Sequence, residues 1–352
     1  MRCTSLILFT LLCLPLLGSC SSGPKEMTTA QKLDYYAESC MNYYDMHAFD
    51  RAIHQANKGL EVDPNNEFFR LVKARCLLLL DKTETLEAAA EILDTMTGIE
   101  NLQVHLVAGE VAERRGLIRW DTAKSIESGT TYTEAADPHA RALELTLEAY
   151  GMWTNAIAHY KKANELFIGG TEGLNGIMRS ATLRSSAGRA LGLTDKEIDL
   201  NDQLILDNGL ELLQSLRESN KAKQRGIDNL RNSEENSWPM QRSIFANEEV
   251  MIATLIHLSE LHRRLNRDHA ALMSIDQALL INGELPRLHG RRAQLLLAAG
   301  DARRAKTSLE EFFRFTKLEF DHPDVVRARA AMRQCERLLE SPSPVLSPPK
   351  GD

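Results

Sequence analysis

No block of like charge runs through the 352-residue chain, and its formal net charge of −7 argues against a duplex-binding surface. Aromatic residues make up only 6% of it. There is no HExxH, no GxSxG, no P-loop and no GxGxxG following a strand, so the common metal, acyl-transfer and nucleotide signatures are all missing. His257, His262 and His269 cluster around Glu260 at spacings of five and seven. His257 and His262 do not share a helical face, which argues against a metal. The glycine-rich IGGTEGLNG at 168–176 lacks a following Lys-Ser/Thr and reads as a joint between helices. Neither a cofactor nor a metal is called for. Cysteines offer no CxxC pair.

What is present is ordinary globular material, 43% hydrophobic and 26% charged, rich in the helix formers Ala and Leu. The first nineteen residues stand apart. Arg2 precedes an apolar run from Leu6 to Leu17, too short for a mature membrane span, so 1–19 reads as a secretory signal. Its end, Leu17-Gly18-Ser19-Cys20, resembles the bacterial lipobox. That resemblance implies cleavage before Cys20 and lipid attachment there. It implies anchoring to the outer membrane, facing the periplasm, if the cell is Gram-negative, because Ser21 is not the Asp that retains lipoproteins at the inner membrane. A polar tether, 20–30, then reaches about 35 Å at most. Of the later cysteines, Cys40, Cys76 and Cys335 read as small buried apolar side chains, with a Cys40–Cys76 bridge as the alternative.

The body of the chain repeats itself. Ala52, Ala56 and Gly59 lie on one helical stripe, and Pro64 follows at a distance that ends the helix. Trp153, Ala156, Tyr160 and Ala163 recur at the spacing of Phe49, Ala52, Ala56 and Gly59. So do Ala271, Ile275 and Ala278, and again Ala305, Leu309 and Phe312, with 34 residues between Ala271 and Ala305. Residues 71–96 read as a degenerate copy with a longer internal turn. This pattern resembles the tetratricopeptide repeat (TPR), a helix–turn–helix unit of 34 residues with small side chains where helices cross. The expected fold is therefore all-α, a TPR-like helical repeat array (α-solenoid) with irregular central helices.

Its organisation reads as N-terminal TPR-like repeats over 31–115 and a connecting loop over 116–136. A central helical region over 137–247 carries one TPR-like unit, and a Thr194/Glu197 capping box opens one of its helices. C-terminal repeats and a closing helix occupy 248–340, and a disordered tail 341–352. In such arrays the first helices of successive units line the inner face. That places Glu38, Met41, Tyr44 and Asp45 in the groove of the first unit, with Tyr36 and Tyr43 in packing. In the last units His257, Glu260, Arg263, Arg264, Arg287 and Arg291 take those places, with the four arginines forming a basic patch. Residues 21–130 carry 18 acids and 12 bases, whereas 261–340 carry 11 acids and 15 bases. The resemblance to TPR lipoproteins of bacterial envelopes implies a membrane-anchored, non-catalytic adaptor or assembly factor. Its partner would be a protein or peptide, with an acidic segment or a free C-terminal carboxylate, and not a nucleic acid. The alternatives are a small-molecule or glycan-binding component, with a closed apolar pocket within 171–247, and an envelope hydrolase built on the helical middle.

Overall fold

The computed structural model describes residues 27–340 apart from 97, 136, 169 and 231–236. The leader, Cys20, most of the tether and the 341–352 tail lie outside the described residues. Thirteen α-helices and no strand occur among those described, and no helix there is long and apolar enough to cross a membrane. Two compact units meet in sequence at Leu93 and Asp94. Unit 1 contains α1 (Thr29–Asp45), α2 (Phe49–Val62), α3 (Glu67–Leu80) and all but the last residue of α4 (Thr83–Asp94). Unit 2 contains α5 (Leu102–Glu127), α6 (Pro138–Leu166), α7 (Thr171–Ala190), α8 (Asp195–Leu230), α9 (Trp238–Arg264), α10 (Asp268–Ile281), α11 (Pro286–Ala298), α12 (Ala302–Phe315) and α13 (Pro323–Glu340).

Two kinds of connection alternate, and they mark the hairpins. Tight turns join α1 to α2, α7 to α8, α9 to α10 and α11 to α12, and the longer α5–α6 connection opens in the same way. Each places one residue in the left-handed region: His47 (φ 56°), Gly129 (φ 71°), Gly192 (φ 68°), Asn266 (φ 56°) and Gly300 (φ 79°). Each closes with the same pair of backbone bonds. At Asn266, for example, its N–H donates to the Arg263 carbonyl (3.1 Å) and Arg267 N–H to the His262 carbonyl (2.8 Å). This double closure satisfies carbonyls that a helix end otherwise leaves open. Asp81 (φ 52°) serves the α3–α4 turn. That turn is only two residues long, so the longer internal turn expected there is not found. Between hairpins the chain instead leaves through an extended residue, as at Asp63 and Asn282, and a proline or an Asn cap starts the next helix. Thr28, Asn66, Asn101 and Asp137 cap helix starts with their side chains. At Thr194 only half of the expected box forms: the Glu197 carboxylate accepts from the Thr194 N–H (3.1 Å), and the hydroxyl donates to the same carboxylate.

The expected loop over 116–136 is corrected. Helix α5 continues to Glu127, and the connection occupies the residues between it and Pro138. Gly116 ends nothing: a Cβ there would lie 2.6 Å from the Trp153 indole nitrogen. The glycine makes room for a ring on α6 instead of breaking α5.

The small stripes are buried where helices cross. Ala52, Ala56, Ala271, Ile275, Ala278 and Ala305 are fully covered, as are Trp153 and Ala156. A Cβ at Gly59 would fall inside the Phe69 ring's contact distance, so α3 approaches α2 only because that position is glycine. Cys40, Cys76 and Cys335 are buried thiols rather than a bridge and a spare. Burial pushes the Cys40 and Cys76 thiols up to about 11 and about 12.

Overpacking at such a crossing is expected to cost about 1–3 kcal/mol for Ala305→Leu. Ala305→Arg should cost more, because it buries a charge without a partner. Thermal unfolding followed by circular dichroism measures both; a melting temperature unchanged by Ala305→Arg contradicts the packing of α12.

Candidate functional site

In unit 2 helix α5 touches α7 and α11 touches α13, in addition to their hairpin partners. Three polar clusters tie helices of this unit together.

The first is centred on Glu113 of α5, only 7% exposed. Arg179 of α7 grips it with two bonds, Nε to Oε1 and Nη2 to Oε2, both 3.0 Å. Tyr160 of α6 donates its hydroxyl to Oε2 at 3.3 Å and Ser180 donates at 3.1 Å. The Trp153 indole N–H donates to the Glu113 carbonyl at 3.2 Å. Burial and the neighbouring carboxylate both push the Tyr160 phenol far above its ordinary range. Burial pulls the Arg179 guanidinium down, but Glu113 outweighs it and the net shift is upward. The Glu113 carboxylate therefore binds three helices together with its acceptor sites occupied, and is not placed to act as a base.

The second cluster lies on α7, α8 and α9. Asp202 is 4% exposed and accepts from Ser185 (2.9 Å), Arg189 (3.0 Å) and Arg264 (3.3 Å). Beside it the Arg184 Nε donates to Asn201 Oδ1 at 2.6 Å. Burial lowers the Arg264 guanidinium, with Asp202 opposing that shift. The third cluster is on α9 and α11, where Arg291 pairs with Glu260. His257 sits beside them, and its Nδ1 is buried without a hydrogen-bond partner. Burial is the chief reason its imidazole is shifted down, and Arg291, Arg179 and Arg264 add to that.

The expected basic patch is therefore corrected. Arg264 and Arg291 are engaged by Asp202 and Glu260, while Arg263 and Arg287 stay exposed and, among the described residues, without an ion pair. Stacking does bring α9 beside α11, as the Glu260–Arg291 pair requires. In unit 1, Glu38, Met41 and Asp45 are exposed along one stripe of α1. Tyr44 is not open. It joins Tyr36 and Tyr43 against the core of that unit, its ring 5.9 Å from Phe49 and beneath the Arg75 guanidinium at 5.8 Å. Among the described residues no group of three or more His, Cys, Asp or Glu is placed to hold a metal. An open cleft of about 360 Å³ lies on α10, α11 and α12, between Leu279, Leu280 and the Asp276–Arg292 pair, outside 171–247.

Residue reasoning missed Glu113, Arg179 and Asp202. The signal for Glu113 was Gly109 and Gly116, seven residues apart on either side of it, which marks a helix face receiving large rings. Arg179 and Asp202 have no comparable local mark, because their partners lie on other helices, Glu113 66 residues before Arg179 and Ser185, Arg189 and Arg264 between 13 and 62 residues from Asp202.

Removing Glu113 leaves Arg179 without its counter-ion. Glu113→Ala is expected to lower stability by about 3 kcal/mol. Glu113→Ala with Arg179→Met should recover part of that loss. Urea unfolding of the four proteins of this cycle measures the coupling, and additive losses contradict it.

No family model and no curated protein matches the chain. Solved structures similar to it are tetratricopeptide proteins. One, from Parabacteroides merdae, is 11% identical with a TM-score of 0.33 over 87% of this chain and 99% of that one. A chain of the APC/C hetero-tetramer Cut9–Hcn1 is 16% identical with a TM-score of 0.33; the match covers 87% of this chain and only 55% of that one. The TPR2AB domain of yeast Sti1, in complex with pHSP90, is 14% identical with a TM-score of 0.27, covering 88% and 97%. At such scores the superpositions carry no residue-level correspondence. By its own hairpin spacing, turns and helix crossings, the chain is an all-α protein built of TPR-like helical hairpins.

Proposed function

We propose that the protein is a membrane-anchored, non-catalytic adaptor of a bacterial cell envelope. It holds a protein partner on the odd-numbered helices of unit 2. The observation that carries this reading is the contrast between engaged and open cations there. Arg179, Arg189, Arg264 and Arg291 are each held by a carboxylate, whereas Arg263 on α9 and Arg287 on α11 are exposed and unpaired among the described residues. The engaged pairs stiffen the unit; the open arginines are free to meet a partner. Arginine's planar fork suits a carboxylate, so an acidic segment or a C-terminal carboxylate is the matching chemistry. Saturated acids such as Glu113 and Asp202 favour binding over proton transfer. Lipid attachment at Cys20 supplies the anchor, and each buried methylene of an acyl chain contributes about 0.8 kcal/mol.

Crosslinking in intact envelopes identifies the partner. With it in hand, Arg263→Glu together with Arg287→Glu should weaken capture about tenfold, roughly 1.4 kcal/mol, and leave the helical signal and melting point in place. Added salt should weaken the wild-type complex as well. Undiminished capture by the double variant sinks the docking face. Release of the wild-type protein from membranes by salt or high pH sinks the lipid anchor.

A further inference from the structure

Helix α9 has two characters. Its C-terminal half buries Met251, Ile252, Leu255, Leu258 and Leu261 in the core of unit 2. Earlier on the helix a different stripe faces solvent: Trp238, Arg242, Phe245, Ala246, Glu249 and Ala253 are all exposed. The steps from 238 to 242, 245 and 249 are four, three and four residues, the spacing of a seam between two paired helices. Trp238 and Phe245 are 58% and 61% exposed. They are the exposed aromatics within the described helices of unit 2; Tyr132, Phe167 and Phe320 sit in connections. Arg242 and Glu249 are both exposed and make no ion pair among the described residues.

The stripe is complementary to its own reverse. Read about a point between Phe245 and Ala246, Trp238 falls opposite Ala253, Arg242 opposite Glu249, and Phe245 opposite Ala246. A two-fold axis at that point lays α9 antiparallel on a second α9. Each large ring then meets a small side chain, and each cation meets an anion, twice over. Isologous interfaces require this self-matching, and a different partner does not. We propose that this face of α9 is where two copies of the chain pair, α9 on α9, about a two-fold axis beside Phe245. The proposal is independent of the docking face, since Arg263 and Arg287 take no part in the seam.

From Trp238 to Ala253 the seam is roughly 24 Å long at 1.5 Å per residue. That is short for an obligate interface, so the pairing is expected to be reversible, with dissociation in the micromolar range. The crossing should be the shallow one of about 20° that such seams favour.

Sedimentation equilibrium of the purified full-length chain, in density-matched detergent and from about 1 to about 100 µM, tests it. Wild type should rise towards the mass of two chains. Arg242→Glu and Glu249→Arg should each remain at one, because each sets like charges opposite one another across the axis. An equimolar mixture of the two variants should regain the two-chain mass, since each then supplies the sign the other lacks. Ala246→Cys, lying at the axis, should form an intermolecular disulfide on mild oxidation, while Cys40, Cys76 and Cys335 stay buried. A wild-type mass of one chain throughout the range overturns the proposal. So does a dimer indifferent to both charge reversals, or a mixture of the variants that stays monomeric.

Discussion

Close approach of helices over glycine is the constraint on which the rest of unit 2 depends. The Tyr160 ring of α6 rests on Gly109 of α5 and Gly176 of α7, where added Cβ atoms would lie 2.8 and 2.5 Å from it. One ring thus fixes three helices. Its hydroxyl then reaches the Glu113 carboxylate, which in turn holds Arg179 and Ser180. Without the two glycines the ring cannot sit there, and without the ring the carboxylate is left with fewer donors in a buried position. Unit 1 uses the same device on a smaller scale, with Phe69 of α3 seated on Gly59 of α2.

The charge pattern of unit 2 follows from that seating. Carboxylates at Glu113, Asp202 and Glu260 each lock an arginine from a neighbouring helix, so α5 is tied to α7, α8 to both α7 and α9, and α9 to α11 by ion pairs as well as by apolar contact. Pairs of this kind add specificity of register more than net stability, because desolvation offsets much of their attraction. Their consequence for function is subtractive. They take Arg179, Arg189, Arg264 and Arg291 out of play, whereas Arg263 and Arg287 stay open among the described residues.

Much of this was legible in the sequence, and the failures have definite causes. The stripes at 52–59, 153–163, 271–278 and 305–312 were readable because small side chains at helical spacing have one common use, a helix crossing, and all four are buried. The closing helix was readable from Pro323 onward. The middle was not, because α5, α6, α7 and α8 run for 26, 29, 20 and 36 residues, and these lengths erase the 34-residue period while keeping the hairpin turns. Gly116 was misread as a breaker because a glycine that admits a ring looks the same in sequence as one that ends a helix. The residues expected to line a groove lie on α1, α9 and α11, but Tyr44 turned inward, and Arg264 and Arg291 found carboxylates. Position on a helix is a local property; the partner that neutralises a charge is not.

A double-mutant cycle between Gly176 and Tyr160, followed by scanning calorimetry, tests the central claim that one seated ring holds α5, α6 and α7 as a single body. Gly176→Ala alone should lower stability by about 1–3 kcal/mol through overpacking. In a Tyr160→Ala background, where the ring is gone, Gly176→Ala should cost almost nothing. Equal losses in the two backgrounds would contradict the account.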